Sequence, residues 1–199
     1  MKRAGCVAAN AVLSGTVSEI GGGKFANGAV TGAFAMMFND MMHKILTYKK
    51  IKEIWKNYKE TIYAHSQSDD FYQNYLGGEI GNEAKSNPQD YMNTCAARLS
   101  DALNKSGILL PYIEGQTYKD KHGYNVFYRA SNMKDYLSRP DVWGMPQKAM
   151  KHWRIRNAVT FQDGFKGGVT GHVDVFCDGI SGGAGYAYQL RKSITTYYW

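Results

Sequence analysis

Apolar residues recur at helical spacing over residues 43–64, and lysines occupy many of the positions between them. This pattern predicts an amphipathic α-helix that packs one face on a protein core. A lysine face with aromatic residues also suits a nucleic acid or a lipid surface, but we favour the solvated outer face of a packed helix. The apolar positions are Tyr48, Ile51, Ile54, Trp55, Tyr58 and Ile62.

A second helix is predicted over residues 93–107. The side-chain oxygens of Asn93 and Thr94 can accept hydrogen bonds from the first free N–H groups of a helix. Gly107 can adopt the left-handed conformation that ends one. The apolar positions between these ends, at helical spacing, are Ala96, Leu99, Ala102 and Leu103. This assignment places Cys95 in the first helical turn.

The last third of the chain has the pattern of a β-hairpin. Residues 158–163 and 169–177 are predicted strands, and the glycine-rich residues 164–168 form the turn between them. A further strand is predicted over residues 123–130, followed by a short helix over residues 133–137. Helices next to antiparallel strands indicate an α+β fold.

Residues 1–42 differ in composition, being rich in Gly, Ala, Phe and Met. Their glycines lack the Lys-Ser/Thr ending of a Walker phosphate loop, so we predict a flexible or loosely helical leader. We divide the chain into residues 1–65, which include the amphipathic helix, and a second domain over residues 66–199. No segment reaches the roughly 18 apolar residues of a membrane span, and the N-terminus is a poor secretory signal peptide.

The chain has 199 residues, a net charge of +7 and a pI of about 9.2. This charge favours a polyanionic neighbour, such as a nucleic acid, an anionic membrane, an acidic protein or an anionic cell-wall polymer. The three cysteines form no CxxC motif and no Cys/His cluster with zinc spacing, so we expect neither metal nor cofactor. A disulfide between Cys6 and Cys177 is compatible with an oxidising compartment.

Cys95 has the surroundings of a nucleophile. The N–H groups and the dipole at a helix start favour the thiolate, so we expect a lowered pKa. Arg98 adds a positive charge one turn later, and the same N–H groups can form an oxyanion hole. The alternative is a small, buried, apolar cysteine, which is a common role of this residue.

A partner for Cys95 is predicted on the last long strand. Alternation places His172 and Asp174 on one face and Val173 and Val175 on the other. The alpha carbons of His172 and Asp174 are then about 6–7 Å apart, so the carboxylate can orient the imidazole. A cysteine at a helix start followed by a strand histidine is the layout of papain-like hydrolases, although His172 alone would be an ordinary strand histidine.

Several segments together resemble one family, the fourth family of type VI secretion amidase effectors, over roughly residues 70–180. The segments are Gly77-Gly78, Asn93-Thr94-Cys95-Ala96 with Arg98, Ser100, Ala102-Leu103-Asn104 and Ser106-Gly107, Tyr128-Arg129, Tyr136-Leu137, Phe161-Gln162-Asp163-Gly164 and Thr170-Gly171-His172-Val173. The leader is similar to the segment upstream of toxin domains in polymorphic toxins of the Rhs and filamentous-haemagglutinin types.

The resemblance implies a papain-like, NlpC-type fold and an antibacterial toxin. Such an enzyme hydrolyses the γ-D-glutamyl–meso-diaminopimelate amide bond of peptidoglycan stem peptides in the periplasm of a target cell and lyses it. It implies Cys95 as nucleophile, His172 as base and a cognate immunity protein as partner, with no nucleic acid and no stable membrane insertion.

The third catalytic residue departs from the family pattern. The family places an acidic residue about ten positions after the histidine, where this chain has Ser181-Gly182-Gly183-Ala184. Asp174 is therefore our candidate, with Asp178 in reserve. The family's usual C-terminal disulfide is also not visible.

Two other functions stay open from the sequence alone. The same fold and residue pair could serve a cysteine hydrolase or deamidase that acts on a protein. The basic helix around Lys49–Lys59 could instead belong to a non-enzymatic module that binds nucleic acid, with steeply salt-dependent affinity.

Overall fold

The computed structural model describes residues 46–149, 155–164, 171–183 and 195–199, with scattered positions between 12 and 30. The chain forms two compact units, Met1–Ile45 and Leu46–Trp199. In the first unit the backbone is helical at positions 12, 16, 18, 20, 26, 27, 29 and 30. Cys6 and most of the predicted turn at 164–168 lie outside the described residues. No helix in the described parts is long and apolar enough to cross a membrane.

In the second unit, most of the described helices precede the first strand along the chain. They are α1 (Tyr48–Ala64), a π-helix (Asp70–Leu76), α2 (Gly78–Ser86), a 3₁₀ helix (Pro88–Tyr91), α3 (Cys95–Lys105) and α4 (Ala130–Leu137). The described strands are β1 (Thr117–Lys119), β2 (Asn125–Phe127), β3 (Gln147–Lys148), β4 (Ala158–Asp163), β5 (His172–Cys177), β6 (Ile180–Ser181) and β7 (Thr195–Tyr198). The predicted α+β class is confirmed.

The larger sheet is antiparallel and has the strand order β3-β7-β4-β5-β6. β1 and β2 form a separate antiparallel pair. β4 and β5 are the two predicted hairpin strands, and Gln162 lies opposite His172 in their register. The sheet therefore holds the predicted histidine at the first residue of β5, inside a fully buried strand.

Helices α1 and α3 pack against each other and against β5. Ile54 of α1, Leu99 of α3 and Val173 and Val175 of β5 belong to one core cluster and are 0 % exposed. Burial of such side chains stabilises a fold by about 1.5–3 kcal/mol each. By its contacts α1 is part of this unit, although we assigned it to the leading segment; the functional division at residues 65 and 66 stays a prediction.

The outer face of α1 is solvated, as its lysine pattern predicts. Lys56 lies 3.7 Å from Glu60, and both side chains are well exposed. Lys59 is 4.6 Å from the centroid of the Trp55 ring. Contacts of this kind are typical of the exposed side of a packed helix.

Two local features differ from the predicted elements. No helix or strand is predicted above for residues 65–78, yet the π-helix buries Phe71, Tyr72 and Leu76 in a second core cluster. The strand expected over 123–130 is shorter, because α4 already begins at Ala130 and has no side-chain cap.

Candidate active site

α3 begins at Cys95 and ends in a Schellman motif. Gly107 has a φ of 78°, as predicted for a C-terminal glycine. Its N–H donates to Asn104 O over 3.0 Å, and the Ile108 N–H donates to Leu103 O over 2.9 Å. At the other end Thr94 is the N-cap residue, but its side chain makes no capping bond. Thr94 Oγ1 instead accepts from Arg98 Nε over 2.7 Å.

Arg98 joins the start of α3 to the end of α1. The side chain is buried, and its guanidinium donates to Thr61 O over 2.8 Å and to His65 O. The same group lies 4.2 Å from the centroid of the Phe71 ring. A cation is favourable at the carbonyl end of a helix. Arg98 therefore fixes the position of the helix that carries Cys95.

The Cys95 thiol lies beside one edge of β5. A backbone hydrogen bond from Val173 reaches the thiol, and Val173 O accepts from Tyr58 Oη over 3.2 Å. The N–H and C=O of one strand residue point to the same edge. Because β6 pairs only with Phe176 and Cys177, Tyr58 and Cys95 occupy the edge of β5 at Val173. The structure thereby places Cys95 next to the residue that follows His172.

The predicted lowering of the Cys95 pKa is wrong. Burial is the largest influence and raises the pKa of the thiol, and the negative charge of Asp174 adds to the increase. Backbone N–H groups of Val173, Ala96 and Cys95 lower it, as expected at a helix start, but they do not outweigh burial. The resting cysteine is therefore a thiol at neutral pH.

His172 is 5 % exposed at the start of β5. Burial lowers the pKa of the imidazole to about 4. His172 is consequently neutral at pH 7, the state in which it can accept a proton. Alternation along β5 places it on the same face as Asp174.

Asp174 connects β5 to the end of β6 and to the glycines that follow it. Its Oδ1 accepts from the N–H groups of Val175 over 2.7 Å and Gly183 over 3.1 Å, and its Oδ2 accepts from Ser181 Oγ. Burial raises the pKa of this carboxyl to about 6, against the lowering effect of these donors. Sequence spacing does not predict these partners in residues 181–183, because only tertiary structure brings them to β5.

Asp178 lies at the other end of β5. It follows the last strand residue, about 20 Å from His172 along the strand. Its carboxylate is exposed and accepts from Tyr48 Oη over 2.9 Å. This position argues against the reserve role of Asp178 as the third catalytic residue.

Two cavities meet at Cys95. The first, of about 320 Å³, lies between α1 and α3 and is lined by Tyr58, Tyr63 and Thr94 among others. The second, of about 350 Å³, extends past Asn93 and Gly171. Pockets of this size suit part of a small substrate. Cys95 therefore borders two spaces of substrate size.

Comparison with known proteins identifies the family to which this chain is similar. Residues 91–199 match the model of a family described as type VI secretion system amidase effector protein 4, or Tae4. The effector Tae4 from Salmonella typhimurium, solved in complex with the immunity protein Tai4 from Enterobacter cloacae, is similar with a TM-score of 0.60 at 18% identity, over 74% of this chain and 96% of that chain. Tae4 from Enterobacter cloacae matches with a TM-score of 0.56 at 19% identity, over 75% of this chain and 94% of that chain. A comparison with curated proteins finds no match.

The fold, in which a helix that begins at Cys95 packs on an antiparallel sheet that carries His172, is of the papain-like, NlpC-type class. The family model covers more than half of the chain. The chain therefore belongs to the Tae4 family of type VI secretion amidase effectors, whose members are peptidoglycan amidases. It is a secreted toxin and a hydrolase, and the nucleic-acid and protein-substrate alternatives gain no support from these comparisons.

Proposed function

We propose that this effector hydrolyses the γ-D-glutamyl–meso-diaminopimelate amide bond of peptidoglycan stem peptides, with Cys95 as nucleophile and His172 as general base. The observation that carries the proposal is the position of Cys95, at the start of α3 and against the backbone of Val173, the residue that follows His172. Membership of the amidase family supplies the reaction class.

The reaction begins from a neutral thiol and a neutral imidazole. His172 takes the proton of Cys95 as the sulfur attacks the amide carbon and forms the C–S bond. Backbone N–H groups at the start of α3 stabilise the negative oxygen of the tetrahedral intermediate. The imidazolium then protonates the leaving amine as the C–N bond breaks, and water hydrolyses the thioester and restores the thiol.

Asp174 is our proposed third residue. It shares a face of β5 with His172. Its carboxylate accepts hydrogen bonds from residues 181–183, the segment in which the family carries an acidic residue. A carboxylate bonded to that segment can stabilise the imidazolium that forms during the reaction.

Mass spectrometry of diaminopimelate-type muropeptides tests the bond and the nucleophile together. The wild type should cleave between D-glutamate and diaminopimelate with uptake of one water, and Cys95→Ala should not. Cys177→Ala is the matched control, because Cys177 is a buried free thiol at the far end of β5. Cleavage by a folded Cys95→Ala variant would refute the assignment of the nucleophile, and cleavage at another bond would refute the substrate.

We further propose that the toxin acts in the periplasm and is neutralised by a cognate immunity protein, as the Tae4–Tai4 complexes suggest by analogy. Expression with a periplasmic signal in a Gram-negative host should cause lysis, whereas expression without the signal should not. Co-expression of the immunity protein in the periplasm should restore growth. Lysis from the cytoplasm alone would contradict the proposed site of action.

A further inference from the structure

The second cavity beside Cys95 carries charges that the catalytic step does not use. Its polar lining includes Asn93, Asp90, Arg129 and Asn132, and Cys95 and Gly171 contribute to its wall. Asp90 comes from the 3₁₀ helix and Arg129 from the residue before α4. A cation and an anion therefore flank a space that opens onto the nucleophile.

The walls of this cavity are fixed by aromatic packing. Tyr91, next to Asp90, is buried, and its ring stacks on that of Tyr128 at a centroid distance of 5.1 Å. Tyr72 Oη donates to Asn93 O over 3.0 Å. These contacts join the 3₁₀ helix to the β2–α4 connection and the π-helix to the residues just before α3, so the cavity is formed before a substrate binds.

The Arg129 guanidinium is available to an incoming anion. Its central carbon lies 5.0 Å from the centroid of the Tyr128 ring, and the residue is exposed. Within the part of the chain that the structure describes, the ion pairs do not include Arg129. A guanidinium supported by an aromatic ring binds a carboxylate with two parallel hydrogen bonds.

We propose that Arg129 binds a free carboxylate of the stem peptide and so selects substrates in which that group is not amidated. This inference rests on the proposed function. The D-glutamate residue keeps a free α-carboxylate on the carbon that lies two methylene groups from the scissile γ-carbonyl, and diaminopimelate carries a second free carboxylate and an ammonium group. Asp90, which lines the same cavity, suits that ammonium group, so the charges of the cavity complement those of the substrate.

The test measures the cleavage of three muropeptides by each of three proteins, which are wild type, Arg129→Gln and Arg139→Gln. One muropeptide has both carboxylates free, one has D-isoglutamine in place of D-glutamate, and one has the diaminopimelate carboxylate amidated. Arg139 is a matched control, because it is exposed, pairs with Asp141 and does not line the cavity. The readouts are kcat and KM for each substrate.

For wild type and Arg139→Gln, amidation of one of the two carboxylates should lower kcat/KM by about tenfold, mostly through KM. For Arg129→Gln that decrease in kcat/KM should disappear. The amidated substrate for which it disappears identifies the carboxylate that Arg129 binds. Equal discrimination by wild type and Arg129→Gln, or none by wild type, would overturn the inference. Failure of wild type to cleave all three substrates would instead overturn the proposed function.

Discussion

The hydroxyl of Tyr58 donates to the carbonyl oxygen of Val173 over 3.2 Å and ties α1 to the strand of His172. The backbone of the same residue, Val173, forms a hydrogen bond with the Cys95 thiol. The edge of β5 that contacts Cys95 is therefore held by a helix that the sequence pattern alone assigned to the leading segment.

Replacing Tyr58 by Phe should keep the ring and remove this bond. The buried Val173 carbonyl would lose a donor, so we expect the free energy of unfolding to fall by about 1–3 kcal/mol. Urea denaturation measures the change, and Tyr63→Phe on the exposed side of α1 is the control. Equal stability of the two variants would show that the bond contributes nothing.

Alkylation of Cys95 should accelerate with pH. Because burial raises the pKa of the thiol, the thiolate fraction at pH 6–8 is small and increases about tenfold per pH unit. The rate of reaction with iodoacetamide should follow that increase in a Cys6→Ala, Cys177→Ala background. A rate that is flat over this range would indicate a resting thiolate–imidazolium pair and contradict the neutral one.

Asp174→Asn should become more stable relative to wild type as the pH rises from about 4 to 7. The folded wild type holds this carboxyl at a pKa of about 6, above its ordinary value of about 3.9. Wild type therefore loses up to ~3 kcal/mol of stability over that interval, because the carboxyl ionises in the unfolded chain while the fold still holds it protonated, whereas the amide does not titrate. The opposite effect of His172, whose pKa is about 4, is present in both variants.

Thermal unfolding of the two proteins at pH 4, 5, 6 and 7 measures this difference. A constant difference would mean that Asp174 is not titrating in this range. The same variant tests the catalytic role, since a third catalytic residue predicts a lower kcat with little change in KM. Full kcat in Asp174→Asn would exclude that role.

Arg98→Met should destabilise the protein. It removes the donors to the carbonyl oxygens of Thr61 and His65 and the contact with the Phe71 ring. Losing charged donors to buried acceptors costs about 2–4 kcal/mol. Denaturation by urea measures the free energy of unfolding, and Lys85→Met at an exposed position is the control. A decrease no larger than that of the control would refute the role of Arg98 in joining α1 to α3.

The elements that sequence patterns predicted well are those with regular spacing. The stripe of α1, the apolar face and Gly107 end of α3, and the strands β4 and β5 are all present. The π-helix was missed because Phe71, Tyr72 and Leu76 are interrupted by polar residues and fit neither a helical stripe nor an alternating strand.

At the site, residue types were predictable but energetics were not. The helix start supplies N–H groups to Cys95, as its position in the sequence implies. The direction in which the pKa of the Cys95 thiol shifts depends instead on burial against β5, which is a contact between segments far apart in the sequence. The partners of Asp174 in residues 181–183 are likewise invisible in the sequence, because a serine and glycines in a loop carry no spacing signal.

β7 lies between β3 and β4, although its residues follow both of them along the chain. The Trp199 N–H also donates to Val159 O over 3.1 Å. On the ribosome, residues 195–199 emerge after the other described strands of the sheet, so until then β3 and β4 lack the partner that β7 provides. Such late pairing over a long sequence separation slows folding. The cell that makes this toxin therefore holds each copy as an unfinished sheet during translation, and the enzyme is completed only after synthesis of the domain.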